Sequence, residues 1–207
     1  MEVMNSNLIE QAVYNLCIKA NTEYSSGLYD VVLAKYNNVQ DCDLKIKYAN
    51  ILNNIKLAFD SKRPLCQDTG QVLVFLKIGS DTLIEGKNIV NAVNSAVSKA
   101  YCENFYRKSV VANSLFNRVN TENNTPAIVY TEIVEGNGIS IDLMVKGAGS
   151  ENCSAANMFV PSASKEDIFK FIKDTIVKSG EKSCPPLVIG VGIGGTIDYA
   201  ALLSKKA

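Results

Sequence analysis

The sequence of 207 residues contains no histidine. That absence removes the Ser-His-Asp triad, the Cys-His dyad, zincin sites and every His-ligated metal. Any chemistry must rest on cysteine, carboxylate, hydroxyl, amide, Arg or Lys, or on a bound cofactor. Net charge is missing too, because 21 Lys plus Arg balance 21 Asp plus Glu. With no basic run, nucleic acid is not an expected partner. No apolar stretch reaches the ~18 residues that would span a bilayer. The start, Met1-Glu2-Val3-Met4-Asn5-Ser6-Asn7, has neither a basic nor an apolar leader region. Neither a signal peptide nor a membrane is therefore expected, and the expected location is the cytoplasm. In a reducing compartment Cys17, Cys42, Cys66, Cys102, Cys153 and Cys184 are not expected to pair as disulfides.

What is present suits a globular core, with 47% hydrophobic residues. Residues 6–22 read as a helix, with Leu8/Ile9, Ala12/Val13, Leu16/Cys17 and Ala20 recurring every four positions. Cys17 belongs to that stripe and reads as core. Further helices are expected over 28–37, from Asp43 through Phe59, and over 86–106; Cys42 is structural or exposed, and Cys102 core or partly exposed. Residues 72–78 form a continuous apolar run, as in a strand covered on both faces. Residues 127–134 and 139–145 read as strands. The Glu135-Gly136-Asn137-Gly138 stretch between them carries a hairpin signal. Residues 107–126 are polar and lack periodicity, so a functional or flexible connection is expected. Ser164 with Asp167 resembles a capping box and opens a helix to about Lys178. Residues 187–191 should be a strand, 192–195 a turn, and Thr196 onward a helix. The expected fold class is α+β, a mixed sheet of about four strands flanked by helices after a helical N-terminal region. One domain over 1–207 is expected, with an unfinished C-terminal end.

The stretch that organises the rest is Pro64-Leu65-Cys66-Gln67-Asp68-Thr69-Gly70. It places a thiol, an amide, a carboxylate and a hydroxyl on consecutive residues, at the mouth of an apolar strand. A loop held there is a usual place for reactive groups. The bland alternative is a cysteine acting as a small buried hydrophobe. Lys146-Gly147-Ala148-Gly149-Ser150-Glu151-Asn152 is a Gly-rich turn whose amides could hold a carboxylate or phosphate, or simply a tight loop. Gly190-Val191-Gly192-Ile193-Gly194-Gly195 matches the G-x-G-x-x-G dinucleotide pattern. The fingerprint also needs a following strand and an acidic residue ~20 positions on. The glycines could equally allow close backbone approach.

Taken in order, Cys66-Gln67-Asp68-Thr69-Gly70, Lys146 to Asn152, Cys184-Pro185-Pro186 and Gly192-Ile193-Gly194-Gly195-Thr196 resemble the α-type domain of the iron–sulfur hydro-lyases, the class I fumarases and L(+)-tartrate dehydratases. The resemblance covers nearly the whole chain. It implies a [4Fe–4S] cluster held by three thiolates, with one iron open as a Lewis acid for a dicarboxylate substrate. Cys66 and Cys184 match two of the ligands and are expected to face one cavity. Gln67 and Asp68 match the substrate-contacting pair, Asp68 with a catalytic role. Arg107 matches a carboxylate clamp, and Gly147, Ala148 and Gly149 match the substrate-loop backbone.

The resemblance also implies a β-type subunit or domain that supplies further substrate contacts and the catalytic base, within an oligomer. The family's third ligand lies past the Gly-Gly-Thr helix, beyond Ala207. Cys153 lies beside the Gly-rich loop and could be proposed as a third ligand, although that pattern has no cluster cysteine at its position. The expected reaction is reversible hydration of fumarate to malate, or dehydration of tartrate to oxaloacetate. The rival is a catalytically incomplete, cluster-free domain serving assembly with other subunits.

Overall fold

The structure, a computed structural model, describes residues 2–24 and 27–207. It comprises two compact units, Met1–Ala148 and Gly149–Ala207. In the first, β1 (Glu2–Asn5), α1 (Ser6–Thr22), α2 (Leu28–Asn38) and α3 (Cys42–Ser61) precede β2 (Gln71–Gly79), β3 (Thr82–Glu85), α4 (Ile89–Glu103), β4 (Ile128–Val134) and β5 (Ile139–Lys146). The class is α+β, as the patterning predicts. Side-chain caps explain where helices begin. Asn5 accepts the Asn7 N–H, Asp41 accepts that of Leu44, and Asn88 accepts those of Val90 and Asn91. Asn88 therefore sets the start of α4 three residues later than the periodicity alone suggests.

The apolar strand takes the centre of the sheet. Its order is β4-β2-β5, with β4 parallel and β5 antiparallel to β2. Val72, Val74, Leu76 and Ile78 cluster with Ile9, Val13 and Cys17 of α1 and with Val93, Ala96, Val97 and Ala100 of α4. Burial of each β2 side chain contributes about 2 kcal/mol of transfer free energy. Leu73 and Phe75 point the other way and are also buried, Phe75 stacking on Tyr130 with ring centroids 5.2 Å apart.

That central placement overturns the expected β4–β5 hairpin. The two strands flank β2 on opposite sides, and residues 135–138 cross over its end. The Gly79 N–H donates to Gly138 O at 2.9 Å and the Asp81 N–H to Gly136 O at 3.0 Å. A Cβ at Gly79 would lie 2.3 Å from the Gly136 carbonyl oxygen, so the crossing needs glycine there. Asn-Gly reports a turn correctly, but β2, apolar on both faces, gains most by occupying the gap between the strands. A separate parallel pair, β1 with β3, has only four residues per strand and no periodic signal.

Burial also sorts the cysteines. Cys17 has no exposed surface, and burial pushes its thiol up to about 12. Cys42 and Cys102 are exposed. A maleimide applied to the native protein at neutral pH should therefore label Cys42 and Cys102 and leave Cys17 unmodified until denaturant is added. Peptide mass spectrometry reads this directly, and native labelling of Cys17 would contradict the packing.

The second unit contains α6 (Lys165–Ser179), a 3-10 turn at Gly180–Lys182 and α7 (Ile197–Lys206). The short α5 (Ala148–Glu151) leads into it. The capping box at Ser164 and Asp167 forms as expected. Phe159 meets Phe171 edge-on at 5.9 Å, yet none of this unit's described residues is fully buried. Residues 187–191, expected as a strand, pair with no strand among the described residues. They lie along α7 instead: a Cβ at Gly190 would be 1.9 Å from Ser204 O, and one at Gly192 2.0 Å from Ala200 O. Among the described residues no helix is long and apolar enough to cross a membrane.

Candidate active site

The loop before β2 is suspended from both neighbouring helices. The Leu65 N–H donates to Asn21 O at 2.8 Å, and Asn54 Nδ2 of α3 donates to Leu65 O at 2.9 Å. Asn21 is itself buried and donates to Cys17 O, so the anchor is rigid at the α1 end. Cys66 follows, half-buried. Its Sγ accepts the Asp68 N–H at 3.4 Å, and its thiol reaches Gln67 Oε1 at 3.3 Å. Hydrogen bonds to sulfur are among the means by which proteins tune iron–sulfur ligation.

Asp68 clamps this loop to the end of β5. Its Oδ2 accepts the Ala148 N–H at 2.8 Å, and its Oδ1 accepts the Gly70 N–H at 3.1 Å. A Cβ at Gly147 would sit 2.9 Å from Oδ2. Glycine there lets the β5 turn come down onto the carboxylate. The sequence places Asp68 and the Gly-rich turn 80 residues apart; the β2–β5 pairing, with Gln71 opposite Lys146, brings them together. An ionised carboxylate has about four lone-pair sites, so Asp68 can serve as a clamp and still present acceptors to a ligand.

Gly70 completes the turn with φ at 54°. Thr69, buried, accepts the Tyr101 hydroxyl at its carbonyl and donates its own hydroxyl to Arg107 O at 2.7 Å. Arg107 thus enters the neighbourhood through its backbone. Its side chain is exposed, and no ion pair to it occurs among the described residues. The polar stretch that follows is ordered rather than loose. An antiparallel bridge joins Val111 to Asn120, and the Thr121 N–H donates to Val110 O at 2.9 Å.

The first unit therefore gathers Cys66, Gln67, Asp68, Gly147 and Ala148, with Arg107 tied to them through Thr69. Gly149 and Cys184 belong to the second unit. Cys184 is exposed. Cys153 is engaged structurally, its thiol 3.5 Å from Ser179 O while the Ser179 hydroxyl donates to Cys153 O at 3.3 Å. Two glycines of the G-x-G-x-x-G match serve packing: Gly190 and Gly192 meet the backbone of α7.

Among the described residues no group of three or more His, Cys, Asp or Glu is arranged to hold a metal ion. A site-differentiated cubane takes three thiolates. The chemistry of Cys66 suits one of them, but the described donor set falls short of three.

Sequence reading missed Asn124. It is fully buried with φ at 60°, and it links Gly70 to Ser109. The only signal was the turn-forming run Asn123-Asn124-Thr125-Pro126.

The family described as Fumarate hydratase (Fumerase) matches residues 10–207. A protein of Methanocaldococcus jannaschii, provisionally named an L(+)-tartrate dehydratase subunit alpha, is 42% identical over 163 residues, covering 76% of this chain and 56% of its own. The L(+)-tartrate dehydratase alpha subunits of Escherichia coli strain K12 and Shigella sonnei are each 31% identical over 216 aligned positions, 99% of this chain and 70% of theirs. The chain thus spans little more than half the length of the first relative. Match length and identity show that this chain belongs to the fumarate hydratase family as an α-type domain of the fumarase and tartrate dehydratase kind.

Proposed function

We propose that this chain is the α part of a cytoplasmic [4Fe–4S]-dependent hydro-lyase that reversibly hydrates or dehydrates a small dicarboxylate. Fumarate and malate are the first substrate pair, tartrate and oxaloacetate the second. The observation that carries the reading is the Asp68 clamp: it holds a cysteine, an exposed amide and a carboxylate at the end of β5, with an exposed arginine tied to the same loop. Cys66 and Cys184 are the proposed thiolates for the cluster. When bound, the cluster supplies a Lewis acid for the substrate's oxygen atoms. The described donor set falls short of three thiolates, and the side chains themselves offer the following contacts.

Arg107 offers a planar fork of donors that grips a carboxylate through two parallel hydrogen bonds. Gln67, exposed, can donate to a substrate oxygen and accept from a hydroxyl. Asp68 holds the loop and keeps acceptor sites for a substrate hydroxyl. The Gly147, Ala148 and Gly149 backbone is the proposed substrate loop, although the Ala148 N–H is already given to Asp68. A β-type subunit is the proposed source of the catalytic base and the remaining contacts, and the names of the relatives, as alpha subunits, support such a partner.

A second reading has one observation in its favour. The described residues gather no three-donor metal site, which suits a cluster-free assembly domain. Anaerobic reconstitution with iron and sulfide, with and without a β-type partner, separates the two. Visible iron–sulfur absorbance, with fumarate hydration or tartrate dehydration only when the partner is present, is the expected result. No absorbance under any condition would count against the cluster reading for these residues. Turnover by these 207 residues alone, at roughly 1 per second or more, would show that no partner is needed.

Within an active complex, Arg107→Lys should lower kcat/KM by about 100-fold, because lysine provides a point charge in place of a fork. Unchanged kcat/KM would remove Arg107 from the site.

A further inference from the structure

The Arg107 segment is held by side chains in addition to the short Val111–Asn120 bridge. Thr69 Oγ1 donates to Arg107 O at 2.7 Å, Asn120 Nδ2 donates to Lys108 O at 2.9 Å, and Thr121 Oγ1 donates to Val110 O at 3.2 Å. Asn124 uses both halves of its amide. Its Oδ1 accepts the Ser109 N–H at 2.8 Å and its Nδ2 donates to Gly70 O at 3.0 Å. Thr69 and Asn124 are 1% and 0% exposed. A buried amide with both functions satisfied fixes one geometry, because any shift strands a donor or an acceptor. Asn124 also sits in the left-handed region, which Asn tolerates better than other residues with a side chain.

We propose that Thr69, Asn120 and Asn124 are positioning residues that set Arg107 against the Cys66 loop, so that its guanidinium meets a dicarboxylate in register with Gln67 and Asp68. The proposal rests on the hydro-lyase reading given above. Thr69 and Asn124 both act at the Thr69-Gly70 turn, directly after the proposed ligand and substrate-contacting residues. Movement of that turn and of Arg107 is therefore coupled. None of the three side chains needs to touch substrate.

The test compares Thr69→Val, Thr69→Ser, Asn124→Asp and Asn120→Ala in the chain assembled with a β-type partner, with fumarate and L(+)-tartrate as probes. Thr69→Val removes the hydroxyl at nearly constant shape. It should raise KM about tenfold with kcat changed less than about threefold, the signature of lost ground-state positioning. Thr69→Ser restores the donor and should return KM to within about twofold of wild type. Asn124→Asp keeps the acceptor for Ser109 but sets an oxygen against Gly70 O, and should resemble Thr69→Val.

Asn120 is exposed, so Asn120→Ala folds even where the buried variants do not. It should still raise KM about threefold by releasing the carbonyl beside Arg107. A second readout is independent of turnover. Either probe should slow modification of Arg107 by an arginine-selective dicarbonyl in wild type, and less so in Thr69→Val and Asn120→Ala. Wild-type KM and protection in Asn120→Ala and in every buried variant that folds would overturn the proposal. Absence of both turnover and protection in wild type would instead overturn the hydro-lyase reading beneath it.

Discussion

Gly70→Ala is expected to destabilise the chain by about 4 kcal/mol, roughly 1–2 kcal/mol of it from an L side chain in the left-handed region. Gly70 has φ at 54°, and a Cβ there would lie 2.3 Å from Lys146 O and 2.7 Å from Gly147 N. Both atoms are backbone, so no side chain can rotate away. Either the Thr69-Gly70 turn or the end of β5 must move, and the Asp68 clamp bridges those two elements. For a chain of this size the loss corresponds to a fall in melting temperature of about 10 °C. Gly136→Ala is the control. Its φ is 99°, but nothing lies within 4 Å of its Cβ position, so only the conformational penalty of about 1–2 kcal/mol applies. Thermal unfolding of the two variants side by side decides the matter. Equal shifts would mean that the Gly70 turn does not touch β5 as described.

Cys66→Ser is expected to remove iron–sulfur incorporation from the reconstituted complex, and with it all measurable hydration or dehydration. A serine hydroxyl is a poor substitute for the soft thiolate that iron–sulfur centres require. The side chain is nearly isosteric, half-buried, and placed to accept the same Asp68 N–H, so folding should survive. Cys184→Ser should have the same effect if it supplies the second thiolate. Cys153→Ser should retain the cluster, because that residue is engaged with Ser179. Iron and sulfide content per chain, measured with the visible spectrum, distinguishes these outcomes. Full cluster content in Cys66→Ser would take the Cys66 loop out of the metal site.

Local pattern was enough for the helices. The stripe Ile9, Val13, Cys17 lies on the buried face of α1, and the Ser164–Asp167 capping box opens α6. Such features depend on spacing of three or four residues, which the sequence displays directly. The apolar run at 72–78 likewise announced a strand covered on both faces, and β2 is one. The motif residues Cys66, Gln67 and Asp68 were legible as a group because they are consecutive.

Tertiary structure decided the rest, since each remaining feature joins residues far apart in the chain. The place of β2 between β4 and β5 follows from competition among strands for the most apolar partner, and a local Asn-Gly turn cannot report that competition. The contact of Asp68 with the Ala148 amide exists only because β2 pairs with β5. Asn124, polar and set in a polar stretch, carries no mark of burial in the sequence. It is buried because Gly70 O and the Ser109 N–H both needed a partner away from water, and one amide side chain satisfies both. Residues 187–191 show the same limit: their composition suits a strand, but Gly190 and Gly192 bring them against the α7 backbone instead.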